Sequence, residues 1–228
     1  PALYMRGLAD AARRAGARLY DRTRVTALVR DGKGWRVSTG NGEIIAREVM
    51  IATNGYTGAV TPWMKRRMIP VGSFMIATEE LRDDLARELV PNSRGLADTR
   101  RVLSYFRRSP DGKRILWGGR VSTGPIDLRT SAQRLFKMMT TVWPQLHDYR
   151  VTHSWMGNVS FTFDFMPHLG THEGMHYAMG CQGAGVAMMS WLGTQAGIKI
   201  AGSGNRPSAF DGLAFPTAPL YSGNPWFL

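Results

Sequence analysis

The stretch that most constrains this chain is residues 177–193, "YAMGCQGAGVAMMSWLG". A short apolar run leads into three glycines, Gly180, Gly183 and Gly185, and then straight into a long apolar segment. Strand, glycine turn and helix in that order make an anion site. The first amides of a helix have no partner inside it, and the positive end of the helix dipole lies with them. Glycine lets a ligand come against the backbone itself. The spacing here is G-x-x-G-x-G, not the dinucleotide fingerprint G-x-G-x-x-G. Two readings stay open: a cofactor held in some other way, or a tight turn packing a helix on a sheet. The small or hydrogen-bonding Cys181, Gln182 and Ala184 between the glycines favour the first.

Periodicity gives the surrounding elements. Leu8, Ala11, Ala12 and Ala15 predict a helix over 3–17, with Gly16 where a helix commonly stops. A strand is expected over 23–29, then two strands from "WRVSTGNGEIIA" around a Gly-Asn-Gly turn, and another over 49–52. "VGSFMIATE" predicts a strand, and Leu81, Leu85 and Leu89 mark one face of a helix. "RVLSYFRRSPDGKRILWGGR" predicts a hairpin through Pro110, Asp111 and Gly112. A helix over 131–142 is stopped by Pro144, and "YRVTHSWMG" is a strand. "FDFMPHLG" and "MHYAMG" then return the chain to the glycine turn. The apolar run over 186–201 carries Ser190, Thr194, Gln195 and Lys199 and is shorter than the roughly 20 residues of a membrane span. It is expected to be a buried helix, and no membrane span is expected.

Several function classes have little support. The formal net charge is +12, but the basic residues are scattered: Arg13, Arg14, Arg18, Arg22 and Arg24, then Lys65, Arg66 and Arg67, then Arg100, Arg101, Arg107 and Arg108. A nucleic-acid surface gathers such residues in a stripe with aromatics between them, so no nucleic-acid partner is expected. Solvated faces, or attraction of an acidic ligand, account for the excess. The single cysteine, Cys181, excludes an intrachain disulfide and a cysteine zinc site, and fits a reducing, cytoplasmic compartment. His168, His172 and His176 stand four apart, which on a helix would let two share a metal. Gly170 and Gly174 interrupt that helix, so a hairpin and no metal are expected. No G-x-S-x-G nucleophile elbow is present.

"SYFRRSPDG" carries substrate chemistry. Tyr105 and Arg107 are two apart on a strand, so both side chains lie on one face. A phenol beside a guanidinium is a clamp for a substrate carboxylate. An exposed Arg beside a half-buried Tyr gives the same spacing. Trp155 in "SWMG" walls an apolar pocket or fills a core.

Taken in order, "PALYMRGLADAARRAGARLYDRTRVTAL", "VMIATNGYTG", "SYFRRSPDGKRILWGGR", "WMGNVSFTFDFMPHLG" and "GCQGAGVAMMSWLG" resemble FAD-dependent enzymes of the D-amino-acid/glycine oxidase (DAO) family, in particular its γ-glutamylputrescine oxidoreductase-like branch. The resemblance covers nearly the whole chain. It implies that Gly180, Gln182, Gly183, Ala184, Gly185 and Val186 present backbone to FAD, that Val25 meets the adenine through its backbone, and that Thr53, Asn54 and Gly55 pass near the cofactor. It implies oxidation of an amine or amino-acid substrate, and Tyr105, Arg107 and Trp155, read from the strands alone, are the candidates for the substrate side. No catalytic residue is assigned. Some members use a lysine near the flavin to activate oxygen; the comparable strand here, "RILWGGR", shows Trp117.

The fold class expected is α/β, part of a Rossmann-like FAD domain of the glutathione-reductase type carrying an α+β substrate domain. The divisions are 1–60 (FAD domain), 61–160 (substrate domain on an antiparallel sheet), 161–205 (return to the FAD domain with its last helix) and 206–228 (tail). The family's N-terminal G-x-G-x-x-G is absent from the 228 residues. An internal fragment is therefore expected, and a basic binding module or an inactive piece remains the alternative.

Overall fold

The computed structural model describes residues 1–100, 103–122, 126–204 and 207–226. Arg101 of the basic series lies outside them, as do Arg206, Phe227 and Leu228 of the tail. In chain order the elements begin α1 (Ala2–Arg14), β1 (Val25–Asp31), β2 (Gly34–Thr39), β3 (Gly42–Ala46), β4 (Met50–Ile51), a 3-10 turn (Asn54–Tyr56) and α2 (Pro62–Lys65). Next come β5 (Ile69–Thr78), α3 (Asp83–Leu89), β6 (Leu96–Ala97), β7 (Ser104–Arg108), β8 (Ile115–Gly119) and α4 (Leu128–Val142). The chain continues with β9 (Val151–Phe161), β10 (His168–His172), β11 (Met175–Met179) and α5 (Gly185–Ile200). Two compact units form: Pro1–Ile69 with Ser160–Asn224, and Pro70–Val159 with Pro225–Leu228.

The first unit holds two three-stranded sheets, β1-β2-β3 and β10-β11-β4. The meander pairs Leu28 with Val37 and Val37 with Ile44. β10 and β11 turn through Glu173 and Gly174, both with positive φ (50° and 79°), as a two-residue hairpin loop requires. β11 then lies parallel to β4, with His176 opposite Met50 and Tyr177 opposite Ile51. Trp35, Val37, Ile51, Met64, Met68, Tyr177, Met179 and Phe215 form its core. α1 ends as expected, with Gly16 at φ 93° just past its C-cap Ala15.

The second unit is a five-stranded sheet in the order β6-β7-β8-β5-β9. Its helix-covered face packs Phe74, Ile76, Ile115 and Trp117 against Leu81, Leu85 and Leu89 around α3 and Leu135 and Met139 of α4. Across the sheet, Phe106, Trp117 and Ile76 fall in one row of partners, and the Phe106 and Trp117 rings stack at 4.6 Å. α4 begins three residues ahead of its expected start because Asp127 caps it, accepting from Thr130 N at 2.9 Å.

The last helix departs from expectation. α5 buries only Leu192 and Ala196, against Leu169 and Ala178, while Val186 and Trp191 are exposed. Apolar composition predicts burial all round, yet among the described residues only one side of this helix is covered. No helix among the described residues is long and apolar enough to cross a membrane.

Candidate functional site

Parallel pairing makes the site in the first unit. Because Tyr177 stands opposite Ile51, the C-terminal ends of β11 and β4 lie side by side, and each runs at once into a turn. Ligands of parallel sheets bind at such ends. The two turns are tied together: Gly180 N donates to Asn54 Oδ1 at 3.1 Å. Asn54 itself has φ 46°, a left-handed conformation that asparagine tolerates better than most residues.

The glycine turn is left-handed at Gly180 (φ 83°), Gln182 (48°) and Gly183 (85°). A Cβ on Gly180 would meet Thr162 Cγ2 at 2.9 Å and the Met166 carbonyl oxygen at 3.0 Å, so the glycine is needed for packing. A Cβ on Gly183 would meet nothing within 4 Å. Gln182 reaches inward, its Nε2 donating to Thr162 Oγ1 at 2.7 Å and to the Met166 carbonyl at 3.3 Å. Its Oε1 is buried without a donor among the described residues. α5 then starts at Gly185 with Ala184 as N-cap, and no side chain caps it. Burial pushes the Cys181 thiol up, but hydrogen bonds with the Gly183 and Ser160 backbone and with the Asn54 and Ser160 side chains outweigh this and hold it below its ordinary value.

Three residues that no motif in the sequence marks support the turn: Ser160, Thr162 and Asp164. Thr162 Oγ1 lies 2.9 Å from Asp164 Oδ1, which lies 3.0 Å from Nε2 of the buried His168. Burial raises the Asp164 carboxyl, and bonds from His168, Thr162 and the Met166 amide more than offset it, so the group sits below its usual range. The histidines fall on a hairpin, as expected. His168 and His172 share one strand face, whereas His176 pairs across to Thr171 on the other. His172 stacks on Trp63 at 3.8 Å and His176 bonds Glu48 at 3.1 Å. Val25 stands apart from this group, at the head of β1 opposite Thr39, packed on the core of the first unit.

In the second unit the sheet face opposite α3 and α4 carries the expected substrate residues. Met75, Gly118 and Tyr105 form one row of partners, and Ala77, Leu116 and Arg107 the next. The Tyr105 ring lies across Gly118, where a Cβ would come within 2.2 Å of it. Its hydroxyl makes a short hydrogen bond with Ser73 Oγ. No ion pair holds Arg107 among the described residues, whereas Arg108 is taken up by Pro91 O and Ser93. Ser154 bonds Leu128 O of α4, so alternation puts Trp155 on the face of Tyr105 and Arg107. Trp155 is 41% exposed and is no core residue. Trp117 is buried on the helix side of the sheet, away from them.

Comparison with known proteins decides the family. Residues 1–196 match the DAO family, described as FAD dependent oxidoreductase. The chain belongs to this family. It is 32% identical to the γ-glutamylputrescine oxidoreductase of Escherichia coli over 95% of its own length and 50% of that protein. It is 30% identical to the probable oxidoreductase OrdL of Haemophilus influenzae over 98% of its length and 51% of that protein. The chain thus spans about half the length of these curated relatives. Glycine oxidase from Geobacillus kaustophilus superposes with a TM-score of 0.73 at 22% identity, covering 93% of this chain and 56% of that one. L-Proline dehydrogenase from P. horikoshii superposes at 0.68 and 18% identity, covering 87% and 54%. These neighbours share the α/β fold of the DAO family.

FAD is the cofactor of the DAO family, and the residues present fit its oxygen-rich groups. An uncapped helix start, with amides free to donate, and a glycine with open space where its Cβ would be meet at one turn.

Proposed function

We propose that this chain is part of an enzyme that oxidises a primary or secondary amine, or an amino acid, to an imine that water then hydrolyses. The uncapped start of α5, set where β4 and β11 end together, is the observation that supports this most. Gly183, Gly185 and Val186 would hold FAD through their backbone, with Gly180, Gln182 and Ala184 shaping the turn and Thr53, Asn54 and Gly55 beside it. When bound, FAD supplies hydride acceptance from the carbon bearing the amine, and oxygen or another acceptor takes the electrons onward.

The chain's own part is to hold and desolvate the substrate. Arg107, free of any carboxylate partner among the described residues, binds a substrate carboxylate on the open face, and Trp155 walls the apolar portion. Hydride loss needs a neutral amine. A guanidinium nearby and removal from water both disfavour the ammonium form, so the same residue that binds also favours the reactive state. Small amines bearing a carboxylate are therefore the substrate class. Replacing Arg107 with Met should raise KM for a panel of carboxylated amines about tenfold or more, the scale of one charge-assisted contact. An unchanged KM across the panel sinks the role of Arg107, and an enzyme that never binds FAD sinks the whole reading.

A further inference from the structure

Three consecutive amides of the glycine turn are held from one corner of the first unit. Gly180 N donates to Asn54 Oδ1 at 3.1 Å, Cys181 N to Ser160 Oγ at 3.4 Å, and Gln182 N to the Ser160 carbonyl at 3.1 Å. Ser160, with no exposed surface, also donates its hydroxyl to Asn54 Oδ1 in a short bond. One side chain thus fixes the acceptor for Gly180 and accepts from Cys181, while its own carbonyl takes Gln182. Beyond that point the chain closes on itself. Ala184 N returns to Cys181 O at 2.8 Å, and Met188 N to Ala184 O at 3.0 Å. The amides of Gly185, Val186 and Ala187 are left without an acceptor among the described residues.

A run with positive φ at Gly180, Gln182 and Gly183 does not hold its shape unaided, because such backbone persists only where the surroundings impose it. We propose that Ser160 is a positioning residue for the cofactor: by pinning the amides of 180–182 it aims the unpartnered amides of 185–187. Donors fixed before the ligand arrives lose no ordering entropy when it binds. The inference rests on the reading that this turn holds FAD, and it adds a residue that neither the glycine pattern nor the family resemblance assigns.

Hydrogen exchange by mass spectrometry, with FAD titration of the full-length protein, tests it. Ser160→Ala removes the hydroxyl and leaves Cys181 N without its acceptor, so a peptide spanning 177–188 should exchange about tenfold faster or more. A peptide spanning the β2–β3 meander should exchange as in wild type, which separates a local loosening from general destabilisation. FAD affinity should fall about tenfold in the same variant, while Ser160→Thr, which keeps the hydroxyl, should retain both properties. Wild-type exchange of 177–188 in Ser160→Ala overturns the proposal. Should that variant fail to fold by circular dichroism, Asn54→Gly carries the test, since glycine accepts φ 46° and only the side-chain acceptor is lost. It should show the same local acceleration, and wild-type exchange there is again a refutation. If FAD leaves 177–188 unprotected in wild type, the cofactor reading falls separately, whatever Ser160→Ala does to exchange.

Discussion

Gly180 and Gly183 lie three residues apart in one turn, with nearly equal φ of 83° and 85°, but they should respond very differently to alanine. A left-handed backbone costs an L-residue roughly 1–2 kcal/mol relative to glycine, and both variants bear that cost. At Gly180 the new methyl also meets a backbone oxygen at 3.0 Å and Thr162 Cγ2 at 2.9 Å. Thr162 cannot retreat easily, because its hydroxyl sits within 3.1 Å of groups on Gln182, Asp164 and Met166. Overpacking of this kind adds about 1–3 kcal/mol, so Gly180→Ala should lose about 2–5 kcal/mol in all. At Gly183 no atom lies within 4 Å, and the loss should stop at roughly 1–2 kcal/mol. The methyl at 183 instead occupies the space from which a ligand would approach the start of α5. Urea unfolding followed by far-UV circular dichroism measures the first quantity, and FAD titration the second. Gly183→Ala should weaken FAD out of proportion to its stability, and Gly180→Ala should lose stability first. Equal stability losses would refute the steric reasoning, and unchanged FAD affinity in Gly183→Ala would refute the placing of the ligand.

Gly118→Ala puts a methyl 2.1 Å from Met75 Sδ and 2.2 Å from the Tyr105 ring; the thioether can move, but Tyr105 is tied to Ser73, so a loss of about 1–3 kcal/mol by urea unfolding is expected. Leu135→Ala, at a fully buried site of α4, should cost about 2–5 kcal/mol, whereas the half-exposed Val142→Ala should stay within about 0.5 kcal/mol by the same assay. Burial pushes the Tyr221 phenol up to about 12, with its hydroxyl donating to Met68 O at 2.7 Å. A raised folded value means the stabilisation is complete below the unfolded pKa of about 10 and is lost as pH rises through the folded one, so alkaline unfolding should steepen between about pH 10 and 12 and Tyr221→Phe should flatten that limb.

What the sequence discloses depends on how far apart the interacting groups are. Leu85 and Leu89 are read correctly because helical spacing brings them together on α3, whereas Leu81 reaches the same core from two residues ahead of the helix; the Pro110–Asp111–Gly112 hairpin is read correctly because its turn chemistry is local too. Tyr105 and Arg107 share a face through strand alternation, but which face is open follows only from where α3 and α4 pack. Ser160 was missed. "NVSFTFD" alternates like any strand, and nothing in it shows that the serine bonds Asn54, which is 106 positions away. The extent of burial of α5 fails for a related reason. Hydropathy records how apolar a segment is, not how many sides are covered.

The first unit is assembled from two separated stretches of chain, and this has a consequence for how it forms. β4 waits for β11, its parallel partner, while nearly all of the second unit is made in between. A chain emerging from the ribosome can complete the sheet of Pro70–Val159 before residue 177 is available. Closing a long loop is slow, and a folded insert brings its ends nearer than a loose chain would. The glycine turn would then take shape after that sheet is complete. A core substitution such as Leu135→Ala, in a unit that contains none of the turn's residues, would delay the appearance of cofactor-binding capacity during refolding.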